Sequence, residues 1–318
     1  MVKPNHRVTT VVRRIGRETE RVFTYELADP DDWELPPFAS GAHIDVHVPG
    51  GRVRQYSLYN DPAESNRYRV AVQREHGGRG GSERFQDTVR EGDTLLVSLP
   101  RNHFPLTRGA KHHLLVAGGI GITPMLSMIA ELERADASWE LHYCTRTPDE
   151  TPFWVELQPF TERGRVRLYH TRSAGAQRLD INAVIGGAGA ETHVYCCGPE
   201  RMIHAVVEAA ADRPQEMLHF EHFGAPAVAT SGESFEVELA QSRQIVRVPA
   251  GQTILSALRE AGVELDASCE GGVCLSCKTR YLAGIPVHRD LVMKPEDRRE
   301  FMTPCVSGCA SEKLVLDL

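Results

Sequence analysis

The chain has 318 residues, 25% of them charged and 41% hydrophobic, with a formal net charge of −7 and eight cysteines. That balance belongs to a soluble globular protein of two or three domains, and the acidic excess argues against nucleic acid as a partner. No apolar run approaches the roughly 20 residues that cross a bilayer, and Met1–Gly16 lacks the apolar stretch of a secretory signal, so a cytoplasmic location is expected.

Residues 1–107 read as β-rich. Short apolar runs at Val8–Ile15, Val22–Leu27, His43–Val48, Gln55–Tyr59, Arg69–Gln73 and Leu95–Leu99 are separated by turns such as Asp29-Pro30, Pro36-Pro37 and Asp61-Pro62. Six short strands of this kind predict a closed antiparallel barrel. Ser82 before Glu83–Val89 predicts an N-cap and a short helix. Ahead of it stands Gly77-Gly78-Arg79-Gly80-Gly81-Ser82. Glycines before a helix start expose backbone N–H groups to an anion, and Arg54 on a barrel strand can supply the opposing charge. Alternation puts Arg54, Tyr56 and Leu58 on one face of that strand and Gln55 and Ser57 on the other.

Residues 108–224 change rhythm. Strands are predicted at Leu114–Ala117, Trp139–Thr145, Val166–His170 and His193–Cys197. Helices are predicted at Pro124–Arg134, Phe153–Phe160, Asn182–Ile185 and Pro199–Ala211. Strand and helix in alternation mean a parallel sheet covered on both faces. Gly118-Gly119-Ile120-Gly121-Ile122-Thr123-Pro124 leaves a buried strand and opens a helix, the context of a phosphate-binding turn, although it is not Gly-x-Gly-x-x-Gly. Arg146-Thr147-Pro148-Asp149-Glu150 follows the second strand and offers both signs of charge to a ribose or its 2′-phosphate, so the residues leave NADH and NADPH open.

Residues 225–233 form a linker rich in Ala, Pro, Ser and Thr. Residues 234–318 then hold a hairpin at Phe235–Leu239 and Gln244–Val248, an amphipathic helix at Thr253–Glu260 and a last strand at Leu314–Leu316. Between them Cys269, Cys274 and Cys277 are spaced Cys-x4-Cys-x2-Cys, with Cys305 further on. This is the ligand spacing of a plant-type [2Fe–2S] cluster. Gly271 and Gly272 let the backbone fold tightly around an inorganic core. A zinc site remains open as an alternative, because Cys305 and Cys309 are also close in sequence. Cys309 reads as a structural thiol, and Cys144 and Cys196 as buried strand residues.

Taken together, Arg54–Leu58, Gly77–Ser82, Pro100–Leu106, Gly118–Pro124, Cys197-Gly198-Pro199 and the four cysteines resemble the phthalate dioxygenase reductase and vanillate O-demethylase reductase family, within the ferredoxin reductase superfamily. The resemblance covers essentially the whole chain. It implies a Greek-key flavin barrel (1–107), an α/β NAD(P)H-binding domain (108–224) and a β-grasp plant-type ferredoxin domain (234–318). It also implies FMN rather than FAD, NADH rather than NADPH, and a cluster on Cys269, Cys274, Cys277 and Cys305. The family places Tyr56 against the flavin, Ser57 near its N5, and Arg54, Gly80, Gly81 and Ser82 at its phosphate, with Gln55 and Leu58 on the same strand. Gly118, Gly119, Gly121, Thr123, Pro124, Cys197, Gly198 and Pro199 are placed at the dinucleotide. Thr123 and Cys197 are expected at the nicotinamide, and Glu221 and Phe223 at the flavin–nicotinamide junction. Many relatives carry Gly where this chain has Leu275.

Nicotinamide gives up two electrons together, and a [2Fe–2S] centre accepts one at a time; a flavin reconciles the two. The implied function is the reductase component of a multicomponent oxygenase, acting as a monomer. Its acceptor would be a Rieske non-haem iron oxygenase or, alternatively, a cytochrome P450. A redox sensor and an electron-transfer subunit of a dehydrogenase are competing classes.

Overall fold

The computed structural model describes residues 7–48, 52–75, 81–173, 175–176, 178–223, 234–267 and 270–318. The chain divides into two compact units, residues 1–198 with 212–219 and residues 199–211 with 220–318. Among the predicted features, the glycines before Gly81, the linker at 225–233, and Cys269 lie outside the described residues. No helix among the described residues is long and apolar enough to cross a membrane.

The first sheet has seven strands: β1 (Arg7–Arg17), β2 (Val22–Ala28), β3 (Ala42–Val48), β4 (Arg52–Ser57), β5 (Tyr68–Gln73), β6 (Thr94–Ser98) and β7 (Arg101–Asn102). They run in the order β4-β3-β6-β1-β2-β5, with β7 beside β3, and pair antiparallel. A bridge from Leu58 to Val70 joins the end of β4 to β5 and nearly closes the barrel. The period-2 pattern turns Ile44, Val46, Val70, Val72, Leu95 and Val97 inward. Helix α1 (Gly81–Thr88) plugs the barrel with Phe85, whose ring meets Tyr25 and Tyr56 edge-on at 4.7 and 5.4 Å. Gln86 ties this helix to the strands by donating to the Val72 and Arg21 carbonyls. The helix begins earlier than its sequence suggests. Ser82 is inside it rather than capping it, because the Ser82 hydroxyl accepts the Glu75 N–H at 3.1 Å.

The second sheet contains β8 (His112–Gly118), β9 (Trp139–Thr145), β10 (Val166–His170), β11 (Thr192–Cys197) and β12 (Leu218–Glu221), in the order β10-β9-β8-β11-β12. The β10–β9, β9–β8 and β8–β11 pairs are parallel. Leu114–Ala117 is buried at every position, as a strand covered on both faces requires. Helices α2 (Ile122–Arg134), α3 (Trp154–Glu162), α4 (Ile181–Gly187) and α5 (Glu200–Ala209) alternate with the strands, each within two residues of the expected start. The edge strand β12 has too short an apolar run to be seen in the sequence. Strand order reverses between β8 and β11, which makes a ligand-binding crevice at the carboxyl ends of these two strands.

One apolar core joins the barrel to this sheet. Val22, Ala71 and Phe104 of the barrel segment pack with Leu115, Ala117, Ile122, Met125, Tyr143, Phe153 and Tyr195. Phe153 adopts a left-handed φ of 61°, donates its N–H to Glu18 Oε2 at 3.0 Å and packs on Tyr59 with ring centroids 4.9 Å apart. The segment leaving the barrel is pinned as well. Thr107 N–H donates to Tyr195 Oη at 2.8 Å, and Tyr195 stacks on His219 at 4.3 Å.

The third sheet is mixed: β13 (Phe235–Leu239), β14 (Ile245–Val248), β15 (Thr279–Ala283), β17 (Phe301–Met302) and β19 (Lys313–Leu316), in the order β14-β13-β19-β15-β17. The central β13–β19 pair is parallel and its flanking pairs antiparallel, and β16 (Pro286–Val287) pairs with β18 (Gly308–Cys309). Helix α6 (Ile254–Glu260) crosses the sheet with Ile254, Ala257 and Leu258 buried. Thr253, expected as its first residue, is its cap: Thr253 Oγ1 accepts the Ser256 N–H at 3.1 Å. The two-residue strands carry no periodic signal and were not anticipated.

Burial holds His43, His113 and His219 down at about 4. The folded values lie below the ordinary unfolded value of about 6.5, so the unfolded chain binds more protons as pH falls through that window. Stability is therefore expected to fall as pH drops from about 6.5 towards 5, before carboxylates titrate. Urea midpoints measured across that window check this: a steady fall is expected, shallower in His113→Gln, and a flat midpoint contradicts it.

Candidate functional site

Three groups of predicted residues can be followed into the structure. The first is on the barrel. Register pairs Ser57 with His43 and Arg54 with Val46 across β3 and β4. Ser57 and Leu58 are buried, Arg54 and Tyr56 half-buried, and Gln55 exposed. Burial raises the Tyr56 phenol well above its ordinary value, so it stays protonated. Arg54 and the start of α1, far apart in sequence, come together. A Cβ on Gly81 would stand only 2.3 Å from Arg54 Nε and 2.7 Å from its Cζ, so the guanidinium lies against the backbone that opens the helix. A guanidinium beside helix N–H groups suits a phosphate. Gly80 lies outside the described residues.

The second group lies at the carboxyl ends of β8 and β11. Gly118 ends β8, and Gly119–Gly121 make a 3-10 turn into α2. The Gly119 carbonyl accepts the Tyr143 hydroxyl at 3.1 Å. Gly121 has no room for a side chain: a Cβ there would stand 2.2 Å from the Cys197 carbonyl oxygen and 3.1 Å from its Sγ. Because the obstacle is backbone, it cannot swing away. This close approach brings the ends of the two switch-point strands together. Thr123 is buried and spends its hydroxyl on the Ile120 carbonyl at 2.9 Å, and Pro124 sits in the first turn of α2. Thr123 therefore shapes the turn. Gly198 and Pro199 follow Cys197 and lead into α5, with Pro199 at its N-cap position. Glu221 closes β12, and Phe223 beyond it is 43% exposed.

The third group is the cysteine loop. Cys277 and Cys305 are buried with their sulfurs 3.2 Å apart, well beyond a disulfide bond of about 2.05 Å. Two thiolates on one tetrahedral metal, bonded at about 2.3 Å, stand about 3.8 Å apart, so the pair needs only a small opening to share a metal. The Cys305 thiol beside it lowers the Cys277 pKa, outweighing the opposing effect of burial. Cys274 is half-buried on the same loop, and Cys269 lies outside the described residues. Cys309 instead donates to the Ser311 carbonyl at 3.1 Å, as a structural thiol does. Glu270, Gly272 and Leu275 all have left-handed backbones, with φ of 49, 72 and 58°. Such turns aim successive N–H groups into a concavity suited to an anionic centre. At position 275 a side chain in that conformation costs roughly 1–2 kcal/mol, which glycine would not incur.

Sequence reading missed what lies beneath this loop. Asp290 is buried and accepts from Arg298 Nη2 at 2.9 Å and from the Met293 N–H at 3.0 Å. His288-Arg289-Asp290 is a charged triplet near a predicted cluster, but spacing alone does not mark it as buried. Elsewhere, a cleft of about 410 Å³ lined by Arg13, Glu26, Asp32 and Arg67 contains none of the predicted site residues.

Comparison with known proteins accords with this geometry. Residues 237–310 match the family described as a 2Fe-2S iron-sulfur cluster binding domain, and residues 115–208 match the oxidoreductase NAD-binding domain. Phthalate dioxygenase reductase of Burkholderia cepacia is 44% identical over 300 residues, covering 93% of each chain. A solved phthalate dioxygenase reductase, described as a modular structure for electron transfer from pyridine nucleotides to [2Fe–2S], superposes with a TM-score of 0.71 at 41% identity over 98% of each chain. The full-length cytochrome P450 CYP116B46 of Tepidiphilus thermophilus superposes with a TM-score of 0.79 at 36% identity, over 98% of this chain and 42% of that one.

The left-handed backbone at Leu275 orders a substitution series. β-Branched residues tolerate this region worst, and glycine best. Iron retention against a chelator is expected to be at least as long in Leu275→Gly as in the parent, and clearly shorter in Leu275→Val. Faster loss in the glycine variant than in the valine variant contradicts this account.

Proposed function

The chain belongs to the phthalate dioxygenase reductase family, and on that premise we propose that it is the NADH-dependent, FMN-containing reductase of a multicomponent oxygenase, delivering electrons through its [2Fe–2S] cluster to a separate terminal oxygenase. The observation that carries the reading is the pairing of Cys277 with Cys305 at 3.2 Å in a chain that also builds a dinucleotide crevice at Gly121 and Cys197. A one-electron centre and a hydride-donor site in one chain call for a flavin to connect them. The bound cofactors supply hydride acceptance followed by release of single electrons.

The residues supply position and electrostatics. Arg54, the backbone of Gly81 and Ser82 hold the flavin phosphate, a role also assigned to Gly80, which lies outside the described residues. Tyr56 presents its ring to the isoalloxazine, Ser57 offers a hydroxyl near N5, and Gln55 and Leu58 complete the strand. Gly118, Gly119, Gly121, Pro124, Gly198 and Pro199 shape the dinucleotide seat. Thr123 and Cys197 border the nicotinamide, and Glu221 and Phe223 line its junction with the flavin. Cys269, Cys274, Cys277 and Cys305 hold the irons. Asp149 and Glu150 follow β9, where a ribose 2′-hydroxyl is read, and Arg146 is paired with Glu150 at 3.8 Å. That arrangement favours NADH over its 2′-phosphate.

The acceptor is a Rieske non-haem iron oxygenase, and the reductase acts as a monomer in the cytoplasm. The relatedness to phthalate dioxygenase reductase supports this acceptor. A cytochrome P450 acceptor is the second reading, favoured by the superposition on a full-length P450. Supplying the reduced protein with each acceptor separates the two.

Two variants test the route. Ser57→Ala is expected to bind flavin normally but to slow its reduction by NADH about 10²-fold or less, the scale of one lost positioning contact; unchanged stopped-flow reduction removes Ser57 from the mechanism. Cys305→Ser is expected to lose cluster absorbance and cytochrome c reduction while NADH–ferricyanide activity persists. Loss of both activities contradicts separable flavin and cluster sites.

A further inference from the structure

Beneath the cysteine loop lies a charge pair whose carboxylate is buried. The Asp290 side chain is 0% exposed, and Arg298, 36% exposed, grips it with a fork. Nη2 donates both to Asp290 Oδ2 and to the Asp290 carbonyl at 2.9 Å, and Nε reaches Oδ2 at 3.3 Å. The Met293 N–H adds a third donor group to Oδ2. The second carboxylate oxygen, Oδ1, has no hydrogen-bond partner among the described residues; His288 Nδ1 stands 3.8 Å away and is likewise unpartnered. Burial lowers the His288 pKa, which keeps that ring neutral near pH 7. Arg298 is thus the cation that balances the carboxylate.

This pair is joined to the cluster loop by backbone. The Leu291 N–H donates to the Gly272 carbonyl at 3.0 Å. A Cβ on Gly272 would stand 3.0 Å from Asp290 Cα and 2.8 Å from Val306 Cγ2. Gly272 is two residues before Cys274, and Val306 is next to Cys305. The loop is therefore clamped between the Asp290 segment and the turn that carries the fourth cysteine.

We infer that Asp290 and Arg298 are positioning residues whose charge balance tunes the reduction potential of the cluster as they hold its loop. The inference rests on the cluster reading above. Reduction adds one negative charge at the cluster, and in a buried setting a nearby fixed charge is weakly screened. With Asp290 neutralised, Arg298 is left unbalanced and favours the added electron. With Arg298 neutralised, Asp290 is left unbalanced and opposes it. A role confined to packing would loosen the loop in both cases and has no reason to give shifts of opposite sign.

The test is an anaerobic dithionite titration, followed by cluster absorbance and electron paramagnetic resonance, on the holoprotein and on Asp290→Asn and Arg298→Gln. Asp290→Asn is expected to raise the potential and Arg298→Gln to lower it, each on the order of tenfold in the one-electron equilibrium, or about 59 mV. Equal potentials in all three proteins, or shifts of one sign, overturn the inference. Should Asp290→Asn fail to assemble a cluster, Arg298→Gln decides alone: a lower potential supports the proposal and an unchanged one overturns it. If the parent protein itself holds no iron and sulfide, the cluster reading fails instead, so the two failures are distinguishable.

Discussion

Hydride transfer tolerates little error, because the reacting atoms must approach to about 3–3.5 Å in a defined orientation. Two separately folded modules on a slack tether would rarely hold that geometry. The apolar seam between the barrel and the parallel sheet meets this requirement. Ala71 and Phe104 pack with Ile122, Phe153 and Tyr195, and the Thr107–Tyr195 hydrogen bond fixes the chain as it crosses from one to the other. Strand β4 and the Gly118–Gly121 turn therefore belong to one compact unit. Phe153 shows what this seam demands locally. A buried aromatic residue is held in a left-handed conformation because its N–H finds Glu18 and its ring finds Tyr59.

The same economy of space governs the sites. Each is built by backbone approaching something else more closely than a side chain allows: Gly81 against Arg54, Gly121 against Cys197, and Gly272 against Asp290 and Val306. Phosphates and inorganic sulfide are bound by N–H groups, so the backbone itself must come to the surface of the site. Leu275 departs from this logic. Its side chain occupies a backbone conformation that glycine would take without strain, and the adjacent turn, closed by Lys278 N–H on the Leu275 carbonyl at 2.8 Å, holds it there.

Much of this was legible in the sequence, for physical reasons. Strands such as Trp139–Thr145 and Phe235–Leu239 announce themselves through burial on one or both faces. The cysteine spacing is dictated by the geometry of ligation, so it survives in one dimension. Helix starts were read late where glycine opens the helix, since a hydroxyl such as that of Ser82 looks like a cap whether or not it serves as one. The short strands β7, β12 and β15–β18 were missed because two to five residues carry too little periodicity. Asp290 and Arg298 were invisible for a different reason: a charged residue normally reads as solvent-exposed, and only the fold shows that the carboxylate is buried against the loop it supports.

The central claim is that electron pairs enter this protein and leave it singly. An anaerobic titration with NADH, following flavin and cluster absorbance together, tests it most directly. A flavin takes two electrons and the cluster one, so both chromophores should bleach with an end point near about 1.5 equivalents of NADH per chain. An end point near about one equivalent, with the cluster absorbance intact, would contradict the account.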